Sequence, residues 1–549
     1  MDHQSAYDEL IHRARELATL SSCSAILGWD EQTYMPSGAA AHRGSQMALL
    51  AGLHHERATD PRIGDLLLAV EGSSLVFDPE SVAAVNVREL RRSYDRRIRL
   101  PKTLVEELAR TTSLAQGEWV AARSANDFGR FRPWLERIFQ LKREESACMQ
   151  GVSGENARGG IPPIAPDVST NDPAGIRLQP PVSIYDPLLD EYEPGTKSAE
   201  LAILFQELRR ELVPMVGAIT EAIARKTAKS AAGATSAATG SPDGEAVLRR
   251  SYPLERQKVF GEGVAAAIGF DFSRGRLDVT AHPFCSGIGP GDCRITTRYD
   301  GRHFNEAFSG ILHEVGHGLY EQGLDQAQYG TPMGEAVSLG VHESQSRLWE
   351  NAVGRGRAFW EYWFPIARSI FHEALSEVTL DQFHAALNHV APSLIRVSAD
   401  EATYNLHIVV RFELEQDLLS GNLSVADLPT AWNQKYAETL GVTPPDDATG
   451  CLQDIHWSAG LIGYFPTYTL GNFYAAQLFS QAQTDLGGLD HAFAHGDFRG
   501  LLEWLRVKVH SQGQRHRAAA LIERVTGRKP DHRPLIAALR QKYGELYGL

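Results

Sequence analysis

Apolar residues recur along the chain with helical spacing. Tyr7, Leu10, Ile11, Ala14 and Leu17 stand at i, i+3, i+4 and i+7, which places them on one helix face. The stretches Leu104 to Leu114, Leu201 to Ile223 and Phe359 to Leu375 repeat that spacing. Alternation of period two is scarce, so the pattern predicts a mainly α-helical chain. The best strand signals are short and adjacent: LDVT from Leu277 and CRITTRY from Cys293, on either side of the Gly/Pro turn IGPGD.

Two segments interrupt this pattern. Residues 151–198 are rich in Gly and Pro and predict an extended, loop-like connection. Residues 226–246, KTAKSAAGATSAATGSPDGEA, hold too few large apolar groups to pack and predict a mobile surface insertion. No repeat of fixed period is evident, and residues 1–549 are expected to form a single domain.

Composition then removes several function classes. The 549 residues are 43% hydrophobic and 22% charged, which excludes a disordered or collagen-like chain. The net charge of −14 opposes phosphate backbones and argues against nucleic acid as a partner. Five scattered cysteines without a C-x-x-C pair fit a reducing compartment. The opening MDHQSAYDELIHRARELATL is charged throughout and lacks the apolar core of a signal peptide, so a cytoplasmic location is expected. One uncharged run, Trp457 to Thr484, is long enough to span a bilayer. Pro466, Asn472, three Gln and three Thr dilute it, and no membrane span is expected.

The chemistry concentrates in H-E-x-x-H: His313, Glu314 and His317. Residues four apart on a helix lie one above the other, so both imidazoles can reach one metal ion. Glu314 between them suits a general base acting on a metal-activated water. Phe304, Phe308, Ile311, Leu312, Val315 and Leu319 form an apolar stripe, which turns both histidines to the other side, near Glu306 and Gly310. A catalytic zinc wants a third protein ligand and an open position. Glu343, in the segment GEAVSLGVHESQSRLWEN, is the expected third ligand, on a second helix. His342 would face about 100° away. Glu335 is the competing carboxylate.

These residues resemble the carboxypeptidase Taq family, the thermostable zinc metallocarboxypeptidases, over nearly the whole chain. The family's motifs stand here as His282-Pro283-Phe284, Asp292-x-Arg294-x-Thr296, His313-Glu314-x-x-His317 and His342-Glu343-Ser344-Gln345. They continue as Ile395-Arg396-x-x-Ala399-Asp400 and Gly450-x-x-Gln453-Asp454-x-His456-Trp457. The segments from Trp29 to Arg43 and from Tyr185 to Gly195 are similar to family signatures, whereas the insertion at 226–246 departs from the pattern. The resemblance implies a large helical peptidase fold with a deep central groove and a small β-sheet near the metal. It implies a cytoplasmic homodimer that releases single residues from free peptide C-termini, with broad specificity and poor action before proline. The implied ligands are His313, His317 and Glu343, and the implied base is Glu314. Zn2+ is the expected ion, with Co2+ or Mn2+ as alternatives that such a donor set accepts.

Other residues divide the remaining work. His456, Tyr464 and Tyr468 are candidate donors to the oxyanion, and the likeness to related groove peptidases favours Tyr468. A free α-carboxylate calls for a guanidinium, and Arg396 is the first candidate, with Arg294 and Arg411 behind it. The bland readings are helix ion pairs from Arg396 to Asp400 and from Arg411 to Glu415. His282 suits a groove wall or a bond to the peptide backbone, and Asp292 with Arg294 suits a buttress. Two rival functions remain: an oligoendopeptidase on the same groove, and an inactive helical binding protein. Retention of Glu314 argues against the second.

Overall fold

The computed structural model describes residues 2–151, 183–232 and 244–549. Helices dominate these residues, and a single three-stranded sheet accompanies them. Helix α1 (His3–Thr33) begins where the Asp2 carboxylate accepts the Ser5 N–H, and it buries Ala6, Leu10, Ala14 and Trp29. Ala6 and Leu10 pack with Ile63, Leu66, Leu67, Val70, Val87 and Tyr94 in a small core separate from the main one. The other periodic stretches are helical too, inside Lys102–Ala125 and Ser198–Ala232. The third divides at Phe371 into Arg357–Ile370 and His372–Leu375.

The Gly/Pro-rich stretch is not all loop. Helix α2 (Asp186–Tyr192) forms inside it, because Pro187 suits a first helical turn and Leu188 and Leu189 have a core to enter. Residues 152–182 of that stretch lie outside the described residues. The expected insertion is divided as well. Helix Ser198–Ala232 runs into its Ala-rich start, and residues 233–243 lie outside the described residues.

The sheet comprises β1 (Gly275–Val279), β2 (Cys285–Gly289) and β3 (Asp292–Thr297), in the order β1-β3-β2. Leu277 pairs with Ile295 in the parallel ladder, and Cys285 with Ile295 in the antiparallel one. LDVT and CRITTRY form strands, as their pattern predicts, and the sheet makes them an edge strand and the central one. Strand β2 carries no such signal, since CSGIG neither alternates nor is rich in β-branched residues. It forms because the turn at Pro290-Gly291, with Gly291 at φ +78°, lays it on β3.

Helix α3 (Phe304–Gly323) packs its whole predicted stripe, Phe304 through Leu319, into the main core and lies against the sheet. Helix α4 (Leu339–Arg347) crosses it and widens into a π-turn at Leu348–Val353. Helix α5 (Tyr404–Ser420) and helix α6 (Pro466–Asp485) complete the surroundings. The uncharged run from Trp457 becomes turns and then α6, which packs on α4. No described helix is long and apolar enough to cross a membrane.

Candidate metal centre and its surroundings

Helix packing brings three donors together. Gly316 lies between the two histidines on α3, and a Cβ there would stand 2.5 Å from the Gln345 carbonyl oxygen and from the Ser346 Cα. Only glycine lets α4 cross so closely, and the crossing delivers Glu343. On the far side, a Cβ at Gly471 of α6 would stand 2.5 Å from Glu343 Cγ, so α6 fixes that side chain from behind.

Glu343 Oε2 then lies 3.7 Å from His313 Nε2 and 3.4 Å from His317 Nε2. One ligand atom from each residue falls within 4.8 Å of the others. Glu335, the competing carboxylate, is not in this group. His313 Nδ1 donates to Glu350 Oε2 at 2.9 Å, and His317 Nδ1 donates to the His342 carbonyl oxygen at 3.1 Å. Both partners are acceptors, so each Nδ1 carries a proton, and in the neutral imidazole each Nε2 presents a lone pair. Two lone pairs and a carboxylate aimed at one another suit a shared cation, and the N,N,O set suits zinc. Arg347 holds the other oxygen of Glu343 at 2.6 Å and reaches Glu350 at 3.2 Å.

The local field follows this geometry. Burial opposes the charge on Glu343, but Arg347 and His313 outweigh it and hold the carboxyl well below the usual range. Burial opposes protonation of His313, yet Glu343 and Glu350 push it up to about 9. The field that attracts this proton would also attract a divalent cation. Burial and His342 pull His317 down to about 4. Glu314, on α3 between the histidines, is pushed up to about 7 by burial against the pull of His313.

A second polar cluster centres on Asp454. Its Oδ1 accepts from Arg396 at 2.8 Å and its Oδ2 from Arg411 at 2.6 Å. The bland helix pairings, Arg396 with Asp400 and Arg411 with Glu415, do not form. Arg396 lies in a 3-10 turn, Arg396–Ser398, where i,i+4 helix geometry does not hold. Asp400 instead accepts the N–H groups of Ala391, Ala402 and Thr403. Glu415 is occupied by Tyr185, the Trp457 indole and the Gly463 N–H, so Arg411 turns to Asp454. His456 Nε2 lies 3.0 Å from the Tyr468 hydroxyl, and burial with Arg396 lowers its pKa to about 3. Tyr464 stacks edge-on against Tyr468, ring centres 5.4 Å apart. Burial and Glu343 push its phenol up to about 12.

Tyr404 joins the two clusters. Its hydroxyl accepts from Arg396 Nη1 at 2.9 Å, and the Arg347 guanidinium lies 4.4 Å from its ring centre. His282 sits exposed in the turn before β2. Arg294 makes a two-pronged pair with Asp292, both bonds 2.8 Å, and lies over the Trp29 ring at 4.3 Å. Neither is hydrogen-bonded or ion-paired to His313, His317 or Glu343 among the described residues. Arg294 thus ties β3 to Trp29 of α1.

Arg347, Glu350 and Tyr404 were absent from the sequence-based candidates. Two of them were legible. Arg347 and Glu350 stand four and seven residues beyond Glu343, on the same helix face. Tyr404 carries no such signal, because its place depends on a loop.

Known proteins bear on this arrangement. The profile of the carboxypeptidase Taq (M32) metallopeptidases matches residues 9–156 and 170–543. Thermostable carboxypeptidase 1 of Thermus thermophilus is 48% identical over 548 residues, covering 100% of both chains. Carboxypeptidase 1 of Bacillus subtilis is 33% identical and covers 98% of both. The crystal structure of an M32 carboxypeptidase from Deinococcus radiodurans superposes with a TM-score of 0.88 at 40% identity, over 99% of this chain and 100% of that one.

Proposed function

This chain belongs to the carboxypeptidase Taq (M32) metallopeptidase family, and from that premise we propose that it releases single residues from free peptide C-termini with Glu314 as general base. We read residues 1–549 as a single peptidase domain with broad specificity and poor action before proline. His313, His317 and Glu343 hold one divalent ion, zinc in the first place, with cobalt or manganese as ions the same set accepts. When bound, the ion supplies a Lewis acid that acidifies water and polarises the scissile carbonyl. Glu350 and the His342 carbonyl keep both imidazoles in the ligating tautomer. The Glu314 carboxylate takes a proton from water and passes it to the leaving amine.

The oxyanion is assigned to Tyr468, with His456 behind it. His456 Nδ1 is buried with no hydrogen-bond partner among the described residues. Asp454 Oδ1 stands 4.0 Å from it, beyond hydrogen-bond reach, and a buried N–H without a partner is costly, so we place the imidazole proton on Nε2. There it is donated to the Tyr468 oxygen, which frees the phenol proton to face the developing charge. Tyr464 stands beside it and lines the substrate.

Arg396 is assigned to the substrate carboxylate. Two guanidiniums share the one carboxylate of Asp454, which leaves a positive charge in surplus. Arg411 is fully enclosed and further bonded to His407, Tyr436 and Gln453, so the surplus is carried by Arg396. His282 is given to the peptide backbone, and Arg294 to bracing the substrate-side strand. Five free cysteines support a cytoplasmic enzyme, and the family likeness supports a homodimer.

The convergence of His313, His317 and Glu343 beside Glu314 carries this reading. Metal analysis of the purified protein, with assays on peptides bearing free and amidated C-termini, tests it. One ion per chain and sharply slower cleavage of amidated peptides are expected. Equal cleavage of both would favour an oligoendopeptidase, and absence of a bound ion would defeat the assignment.

A further inference from the structure

Glu193 is a fully buried carboxylate that accepts hydrogen bonds from Gly340 and Tyr474, neither of them assigned above to metal, water or peptide. A buried acid is costly unless its bonds answer for it. Burial pushes its carboxyl up to about 7, against bonds from Ser338, Tyr474 and Gly340. Its Oε2 accepts the Gly340 N–H at 3.0 Å, and its Oε1 accepts the Tyr474 hydroxyl at 2.9 Å.

Those two partners belong to the two helices that hold Glu343, α4 and α6. Gly340 lies in the first turn of α4, where Ser338 Oγ also accepts the Val341 N–H at 3.1 Å. Between them, Glu193 and Ser338 satisfy donors that a helix start leaves open, and an anion there is favoured by the helix dipole. Tyr474 lies on α6, about one turn beyond the Gly471 that packs on Glu343. A Cβ at Gly340 would stand 2.6 Å from Glu193 Oε2, so only glycine admits the carboxylate. Helix α4 has nine residues, too few to hold its own direction without tertiary anchors.

We propose that Glu193 is a positioning residue for the metal centre: it ties the start of α4 to α6 and thereby sets where Glu343 stands. This rests on the metal-site reading above. A clamp acting through a ligand changes metal affinity, whereas a merely structural buried acid changes only folding.

The test measures zinc affinity by chelator competition for the full chain, with thermal unfolding of the metal-stripped protein alongside. Glu193→Ala should bind zinc about 10- to 100-fold more weakly, with KM nearly unchanged at saturating zinc and kcat reduced. Glu193→Gln should restore zinc binding to within about threefold, because the amide still pairs with Gly340 and Tyr474. A folded Glu193→Ala with wild-type zinc affinity overturns the inference, and so does a Glu193→Gln as weak as the alanine variant. If Glu193→Ala does not fold, Tyr474→Phe decides: about tenfold weaker zinc binding is expected, and unchanged binding overturns the clamp. Wild-type protein that takes up no stoichiometric zinc would instead defeat the metal-site reading itself.

Discussion

Around His313 and His317 stand the carboxylates of Glu314, Glu343 and Glu350, answered by Arg347 and, 3.9 Å from Glu350, Arg355. Around Asp454 stand two guanidiniums, Arg396 and Arg411, answered by one carboxylate. With His313 neutral, as a metal ligand must be, the carboxylates of the first half outnumber its guanidiniums by one, whereas in the second half the guanidiniums outnumber the carboxylate, and Tyr404 lies between them. Both halves are largely removed from water, where a surplus charge acts far more strongly than on a surface. The contrast teaches that one half is prepared for a cation and the other for an anion. Under the proposed function, a metal ion and a peptide's terminal carboxylate are the species that would answer both.

That comparison can be broken from either side. The largest effect is expected in the negative half. Glu314→Gln should lower kcat by about 1,000-fold with the bound-metal content unchanged, and retained activity would remove Glu314 from the chemistry. Tyr468→Phe should lower kcat by about 100-fold with little change in KM. An equal loss in Tyr464→Phe would move the donor to the neighbouring ring. In the positive half, Arg396→Met should raise KM for peptides with free C-termini by about 30-fold and leave amidated peptides nearly unaffected. A uniform loss on both would make Arg396 purely structural. Glu350→Gln should weaken zinc binding by about tenfold, read by chelator competition.

The smallest expected effect concerns the scaffold of the positive half. Burial pushes Glu415 up to about 7, above its ordinary 4.5. Its contribution to stability is therefore full below about pH 4.5 and lost as pH rises through about 7. Between about pH 6 and 8 the loss is about 1 kcal/mol. Thermal unfolding of Glu415→Gln should show a pH dependence flatter than wild type by that amount, and parallel curves would contradict the shift.

The two halves also differ in how far they could be read in advance. His313, Glu314 and His317 sit on one helix, and Glu343, Arg347 and Glu350 on the next helix and its π-turn, so their relative directions follow from a period near 3.6. Arg396, Tyr404, Arg411, Asp454 and Tyr468 come from segments joined by turns. Spacing says nothing there, and the helix pairs it suggested, Arg396 with Asp400 and Arg411 with Glu415, do not form. Strand β2 escaped notice for a similar reason, since its pairing with β3 is imposed by a turn.

By itself, the chain's pattern determined the long amphipathic helices, the faces they bury and which residues can offer donors to a metal, because those follow from spacing within one element. The tertiary structure alone decided which helices meet and at what separation. It did so through glycines such as Gly316 and Gly471, whose missing Cβ atoms let Glu343 approach the two histidines. It also decided which arginine answers which carboxylate. Such pairings are settled by proximity in space under a shared burial cost, and no interval along the chain encodes that proximity.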